Sequence, residues 1–190
     1  VKGGKGHTDG NGIALDQALK AGAVMALNLR GGQKDLAGAV IQSDWMPADT
    51  RALITGEDIS ADALGNTANP NRIANPDNLK FSEKLRTLFI GEDSGQHTNN
   101  FLWAYNVDTL ALSRILSVPS GAECTGLQAV DNLNGFAYVM SNFQHPGDWE
   151  SLHNTLLNSA GSTLNASINT NWGNKKKGAV GYLSGLPVLG

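Results

Sequence analysis

A Gln-His pair recurs 48 residues apart, as Gln96-His97 in "SGQHTNN" and as Gln144-His145 in "NFQHPGD", each time just after an apolar strand-like run. A recurrence of that length is the size of one supersecondary unit, so it constrains the fold more than any other feature of the chain. The segment around the first pair parses as four short strands: "LKFSE" (79–83), "LRTLFIGE" (85–92), "FLWAYNV" (101–107) and "LSRILSV" (112–118). Turn-forming residues join them at Ser82-Glu83-Lys84, Gly95-Gln96 and Asp108-Thr109. Strands this close in sequence make an antiparallel meander.

The next unit follows in step, with Leu127 standing 48 after Leu79 and "GFAYVMSN" (135–142) falling where "TLFIGEDS" (87–94) did. A repeated four-stranded meander of about 40–50 residues is the unit of a β-propeller blade. The spacing therefore predicts an all-β chain with strands near 79–83, 86–92, 101–107, 112–118, 126–130 and 135–142. Upstream, "GAVMALNL" (22–29) and "LAGAVIQ" (36–42) read as the third and fourth strands of a preceding blade, so the chain is expected to begin mid-blade. The expected units are 20–50, 75–120 and 122–148, then a polar loop over 149–174 with one or two helical turns, then an outer strand over 178–187. A short helix within "ALDQALKAGAV" (14–24) is the alternative at the start. Two to three blades form an incomplete propeller with open strand edges, since closed propellers carry four to eight. The edges would be met by the remainder of a propeller or by another chain.

Composition agrees: 23 glycines and only 16% charged residues suit turn-dense β structure rather than helical bundles. The net charge of −3 argues against a nucleic-acid partner. No apolar stretch reaches the roughly 18–20 residues that span a bilayer. Cys124 is the single cysteine, which excludes an intrachain disulfide and a cysteine-based zinc site. The opening "VKGGKG" has no initiator Met, suggesting a processed or truncated chain, and "GGKG" lacks the phosphate-loop spacing. "NAS" (165–167) matches the glycosylation acceptor, no G-x-S-x-G elbow occurs, and Lys175-Lys176-Lys177 reads as a solvated loop.

In a propeller, loops at the channel mouth collect function. The loops leading into the inner strands are "ANPDNL" (74–79) and "AECTGL" (122–127); those leaving the second strands hold Glu92-Asp93-His97 and His145. Asn75, Asp77, Glu92, Asp93, Glu123, His97 and His145 are thus candidates for one shared volume. Carboxylates with an amide and imidazoles suit calcium through oxygens, or iron, manganese or zinc through mixed donors. Consecutive Glu92-Asp93 on a strand face opposite ways, so only one should point inward. Each candidate has a plainer reading: Asn75-Pro76-Asp77-Asn78 is also an ordinary turn, and either histidine can brace a loop. His7 and His153, outside the repeat, are expected at the surface.

At "NPDNLKF", "TLFIGEDSGQHTNNFLWAYN", "LSRILSVPSGAECTG" and "NGFAYVMSNFQHPGD" the chain resembles the PhoX-type alkaline phosphatases, over roughly residues 20–148. The resemblance implies a six-bladed propeller exported to the periplasm or outside the bacterial cell, hydrolysing small phosphate monoesters at a mixed iron–calcium cluster. It also implies Glu123 and Glu92 as metal-binding carboxylates, with Asp77 and His145 at the same mouth. It does not cover the tail after Trp149, and further family ligands, among them a cysteine not equated with Cys124, have no counterpart here. Two other functions stay open: a calcium-dependent lactonase-like propeller, because "NPDNL" also resembles loops there, and a non-catalytic surface or matrix protein.

Overall fold

A computed structural model describes residues 18–156, 162–173 and 177–188. His7, Lys175, Lys176 and the first part of the alternative helix at 14–24 lie outside the described residues; 18–22 are not helical. The chain is mostly β, in three antiparallel sheets that do not close on one another. The first pairs β1 (Ala23–Arg30) with β2 (Met46–Thr55). The second runs β3 (Pro76–Ser82), β4 (Thr87–Glu92), β5 (Phe101–Asn106) and β6 (Leu112–Ser117) in sequence order. The third is β7 (Glu123–Leu133), β8 (Phe136–Gln144) and β9 (Ala179–Pro187). All six strands expected from the repeat are present. β3 starts three residues early, β7 is extended at both ends, and β9 takes the place of the expected outer strand.

Two expectations are corrected. "LAGAVIQ" (36–42) is not a strand and shows only an isolated Lys34–Val40 bridge. Asp35 accepts from the Ala37 and Ala39 amides, both at 2.9 Å, and Gly38 takes φ +85, which closes a tight turn. The partner of β1 is instead "MPADTRALIT". Among the described residues, the polar stretch 149–174 carries two helices, α1 (Ser151–Leu156) and α2 (Thr163–Trp172). Its Asn, Ser and Thr content reads as loop by propensity, but Ser162 caps α2 by accepting from Asn165 N, and Gly173 ends it in the left-handed region. Ile168 is buried and Trp172 meets Phe143 edge-on at 4.8 Å, so tertiary packing overrides propensity.

In the middle sheet the two central strands, β4 and β5, are buried on both faces. Leu88 and Ile90 pack with Val24, Ile73, Trp103 and Tyr105 toward the first sheet. Phe89 and Leu102 pack with Val118, Ala122, Cys124 and Val139 toward the third. Each Val, Leu, Ile or Phe among them contributes about 1.5–3 kcal/mol on burial. The outer sheets keep apolar residues in the open, Met25, Leu27 and Leu29 on β1 and Val180 and Tyr182 on β9.

Sheets two and three meet closely at Gly91, where a Cβ would lie 2.3 Å from the Cys124 carbonyl oxygen. Gly91→Ala should therefore cost about 1–3 kcal/mol in urea unfolding. Gly181→Ala, whose Cβ would sit 3.7 Å from Ser141 O, should be close to neutral. Equal stability of the two variants would refute that close approach.

Candidate functional site

Glu92 and Asp93 do leave β4 on opposite faces, and their environments could hardly differ more. Glu92 is fully buried. Its Oε1 accepts from Ala74 N (2.8 Å) and Trp103 Nε1 (2.6 Å), and its Oε2 from Phe101 N (3.0 Å) and His97 Nδ1 (3.0 Å). Four donors occupy the carboxylate, so Glu92 ties β4, β5 and the 74 and 97 loops together and has no oxygen left for a metal. This corrects its expected role as a ligand. His97 is buried beside it, its Nε2 facing Asn69 O at 3.2 Å, and is equally committed.

Asp93 faces the other way, toward β7. Glu123 opens β7 after a turn in which Ala122 N donates to Pro119 O. The His145-Pro146-Gly147-Asp148 segment turns back against it: Gly147 has φ +80, Asp148 N donates to His145 O, and Gly147 N donates to Ser120 O. Proline followed by a positive-φ glycine is the type II turn pattern. The turn holds His145 Nε2 2.5 Å from Glu123 Oε1, while Gln144 Nε2 donates to Glu123 Oε2. His145 itself is held at φ +41, the kind of backbone outlier that clusters at functional sites.

The result is a cluster of Asp77, Asp93, Glu123 and His145. The Asp93 carboxyl lies close enough to the charges of Glu123 and Asp77 to feel both. Partial burial first, then the Glu123 and Asp77 charges, push the Asp93 carboxyl above the ordinary carboxylate range, and His145 offsets this only in part. Asn75 braces the cluster rather than joining it. Its Oδ1 accepts from Ser94 Oγ (2.7 Å) and Gln96 Nε2 (3.1 Å), and its Nδ2 donates to Lys20 O (2.8 Å).

Asp93 lies on the rim between two clefts. One, of about 310 Å3, is lined by Asn75, Pro76, Asp77 and the Gly22-Ala23 backbone; the other, of about 230 Å3, by Glu123, His145, Asp148, Trp149, Glu150 and His153. A larger open groove of about 630 Å3 runs elsewhere, along β2 and Tyr105, and its Arg72–Glu57 pair neutralises itself at 2.9 Å. His153 corrects the surface expectation: it is buried, donating Nε2–H to Gly65 O at 3.0 Å.

Among the described residues, no group of three or more His, Cys, Asp or Glu side chains is disposed to hold a metal ion as it stands. In kind, the oxygens of Asp77, Asp93 and Glu123 fit calcium. Neither Glu92 nor Cys124 is free to add to that set. Glu92 is saturated, and the Cys124 thiol is buried against Ser141 Oγ (3.2 Å), its ionisation pushed up by desolvation.

The chain matches no family model, no curated protein and no solved structure.

A raised Asp93 carboxyl makes a signed prediction. Its stabilising contribution is full below the unfolded carboxyl range and is lost as pH rises through the folded value. Asp93→Asn should therefore raise Tm relative to wild type at pH 7, and the gain should vanish on acidification. Millimolar calcium should stabilise wild type more than the variant. A wild-type advantage at neutral pH without calcium would contradict the crowding of these carboxylates.

Proposed function

We propose that this chain is part of a metal-dependent phosphomonoesterase of the PhoX type, with Asp77, Asp93 and Glu123 as its calcium-binding carboxylates. The observation that carries the reading is the crowding of Asp93 and Glu123. Two neighbouring carboxyl groups with a third charge beside them repel one another, and a proton or a cation relieves that repulsion. A proton fills that role at low pH; calcium is the natural occupant at neutral pH.

In architecture we read the three sheets as parts of successive propeller blades. The second sheet has a blade's four strands in order, the third has three of them, and the first has an outer pair. Supporting this, Asn78 Oδ1 accepts from Gly126 N at 3.2 Å, joining two inner strands 48 residues apart. The Gln96–Asn75 and Gln144–Glu123 bonds are related by the same spacing. Open edges on β1 and β9 would then be met by the remainder of a propeller or by another chain. Export to the periplasm or beyond belongs to the same reading. No helix among the described residues is long and apolar enough to cross a membrane.

Bound calcium would supply positive charge for phosphate oxygens. The chain's residues do the positioning: Gln144 and His145 fix the Glu123 carboxylate, and the His145–Asp148 turn walls the neighbouring cleft. In the reaction a bond from phosphorus to a water oxygen forms, the ester P–O bond breaks, and the alcohol leaves with a proton. Because these residues suit one hard ion, a calcium-dependent lactonase is the second reading; a non-catalytic surface protein is the third.

The deciding experiment is elemental analysis of the natural protein with turnover of p-nitrophenyl phosphate and of a γ-lactone. Calcium at stoichiometric level, with phosphate ester hydrolysis lost in EGTA and restored by calcium, is expected. Calcium with lactone turnover alone would favour the second reading. Absence of bound calcium would overturn both enzyme readings.

A further inference from the structure

The third sheet stops one strand short of the second, and the open place lies along β9. Sheet two runs β3 to β6, whereas sheet three holds only β7 to β9 among the described residues. Counting 48 on from β6, Leu112–Ser117, reaches residues 160–165, and there Ser162 caps α2 instead. The repeat's own fourth strand is thus diverted into a helix. β9 keeps an outward row of backbone N–H and C=O groups that no strand among the described residues pairs. Edge strands are ordinarily guarded by charge, proline or a bulge. The far end of β9 has such guards, the positive-φ Gly185 and Pro187. Residues 179–183 have none: they are uncharged and pair with β8 in unbroken register.

The same half of β9 borders an apolar slot of about 190 Å3, walled by Leu116 of β6, Val139 and Phe143 of β8, and Leu183. Gly181 lines it without a side chain, and a Cβ there would meet only Ser141 O within 4 Å, at 3.7 Å. An apolar cavity of about 150 Å3 accepts a benzene ring, so this slot has room for one phenylalanine or leucine side chain. Two residues before β9, Lys177 is exposed and has no ion-pair partner among the described residues. An unguarded edge asks for a backbone, the slot for one apolar side chain, and Lys177 for a negative charge. An extended peptide supplies all three.

We propose that residues 179–183 of β9 are a docking edge for an extended segment of a partner polypeptide, which adds as a fourth, antiparallel strand. Main-chain bonds to the edge give affinity, and the slot gives specificity. The partner residue opposite Gly181 is phenylalanine or leucine. The fourth residue after it, level with Lys177 in an antiparallel ladder, is acidic. The place of the fourth strand rests on the blade reading above; nothing in the proposal rests on phosphatase activity.

The probe is a capped, fluorescein-labelled peptide of eight residues, alternating threonine and valine but with phenylalanine fourth and glutamate last. Fluorescence anisotropy with the wild-type protein should show saturable binding, and 15N-resolved spectra should show the amides of residues 179–183 moving with it. Aspartate in place of the peptide's phenylalanine should weaken binding about 10–100-fold, the worth of burying one such side chain. Lys177→Glu should weaken it about two- to fivefold, as befits an exposed charge pair. Gly181→Leu, which fills the slot from within, should leave both peptides equally weak. Equal affinity of the wild-type protein for the two peptides, or unmoved 179–183 amides, would overturn the proposal without recourse to any variant. Shifts of the same amides on raising protein concentration alone would give the edge to a second copy and overturn it too. Docking by a protein that holds no calcium and hydrolyses no ester would keep the edge and refute the phosphatase reading. Calcium-dependent turnover with unmoved β9 amides would do the reverse.

Discussion

Glu92→Gln should destabilise this protein by on the order of 3–5 kcal/mol, the loss expected when a buried, fully paired carboxylate is broken. The glutamine keeps the volume but not the acceptors. Its amide nitrogen must face either the Ala74 and Trp103 donors on one side or the Phe101 and His97 donors on the other. Two buried N–H groups would then point at N–H groups. Against a typical total stability of about 5–15 kcal/mol this is a large fraction. Glu57→Gln, which disturbs the half-exposed pair with Arg72 and the exposed bond from Asn69 Nδ2, should change stability by less than about 1 kcal/mol. Urea midpoints measure both. A Glu92→Gln variant as stable as wild type would mean the carboxylate is not the knot that ties β4 to its neighbours.

The same residue shows what a sequence can and cannot reveal. That Glu92 and Asp93 face opposite ways follows from strand period alone. Which of them goes inside depends on donors at residues 74, 97, 101 and 103, and no local pattern announces those. Choosing Glu92 over Asp93 as the cluster residue therefore failed for a non-local reason. The Gln-His echo divides similarly. Gln96 and Gln144 hold equivalent bonds, each to the residue that leads into its own inner strand, Asn75 and Glu123. The histidines diverge, because Pro146-Gly147 turns His145 onto Glu123 whereas His97 drops into the core against Glu92. Counting by 48 finds the backbone unit but not what each side chain does within it. His153 and Trp149 were illegible for another reason. His153, on α1, is placed by its bond to Gly65 O, and Trp149, just before α1, lies on the second cleft wall, both within a stretch whose composition resembles loop.

Glu123→Gln is the functional counterpart, with the opposite balance of effects. Glu123 is 17% exposed in its side chain and accepts from both Gln144 and His145, so an amide of equal volume retains part of this bonding. Removing its charge also relieves Asp93, whose carboxyl should return toward the ordinary range. Stability should thus be little changed, or slightly higher at neutral pH. Calcium binding should fall by at least about 10–100-fold, the loss that follows from disturbing even the outer-shell partners of a metal site. Turnover of p-nitrophenyl phosphate should fall with it, by at least about 100-fold if charge at the transferring group is what the site stabilises. His153→Ala reads differently: with a buried ring donating to Gly65 O, it should lower stability by about 1–3 kcal/mol while leaving calcium affinity of the folded protein intact. The pair of variants separates site chemistry from scaffold. If Glu123→Gln keeps both calcium and hydrolysis at wild-type levels, Glu123 is only the acceptor that anchors Gln144 and His145 at the start of β7. The cluster would then be a fold device without a metal.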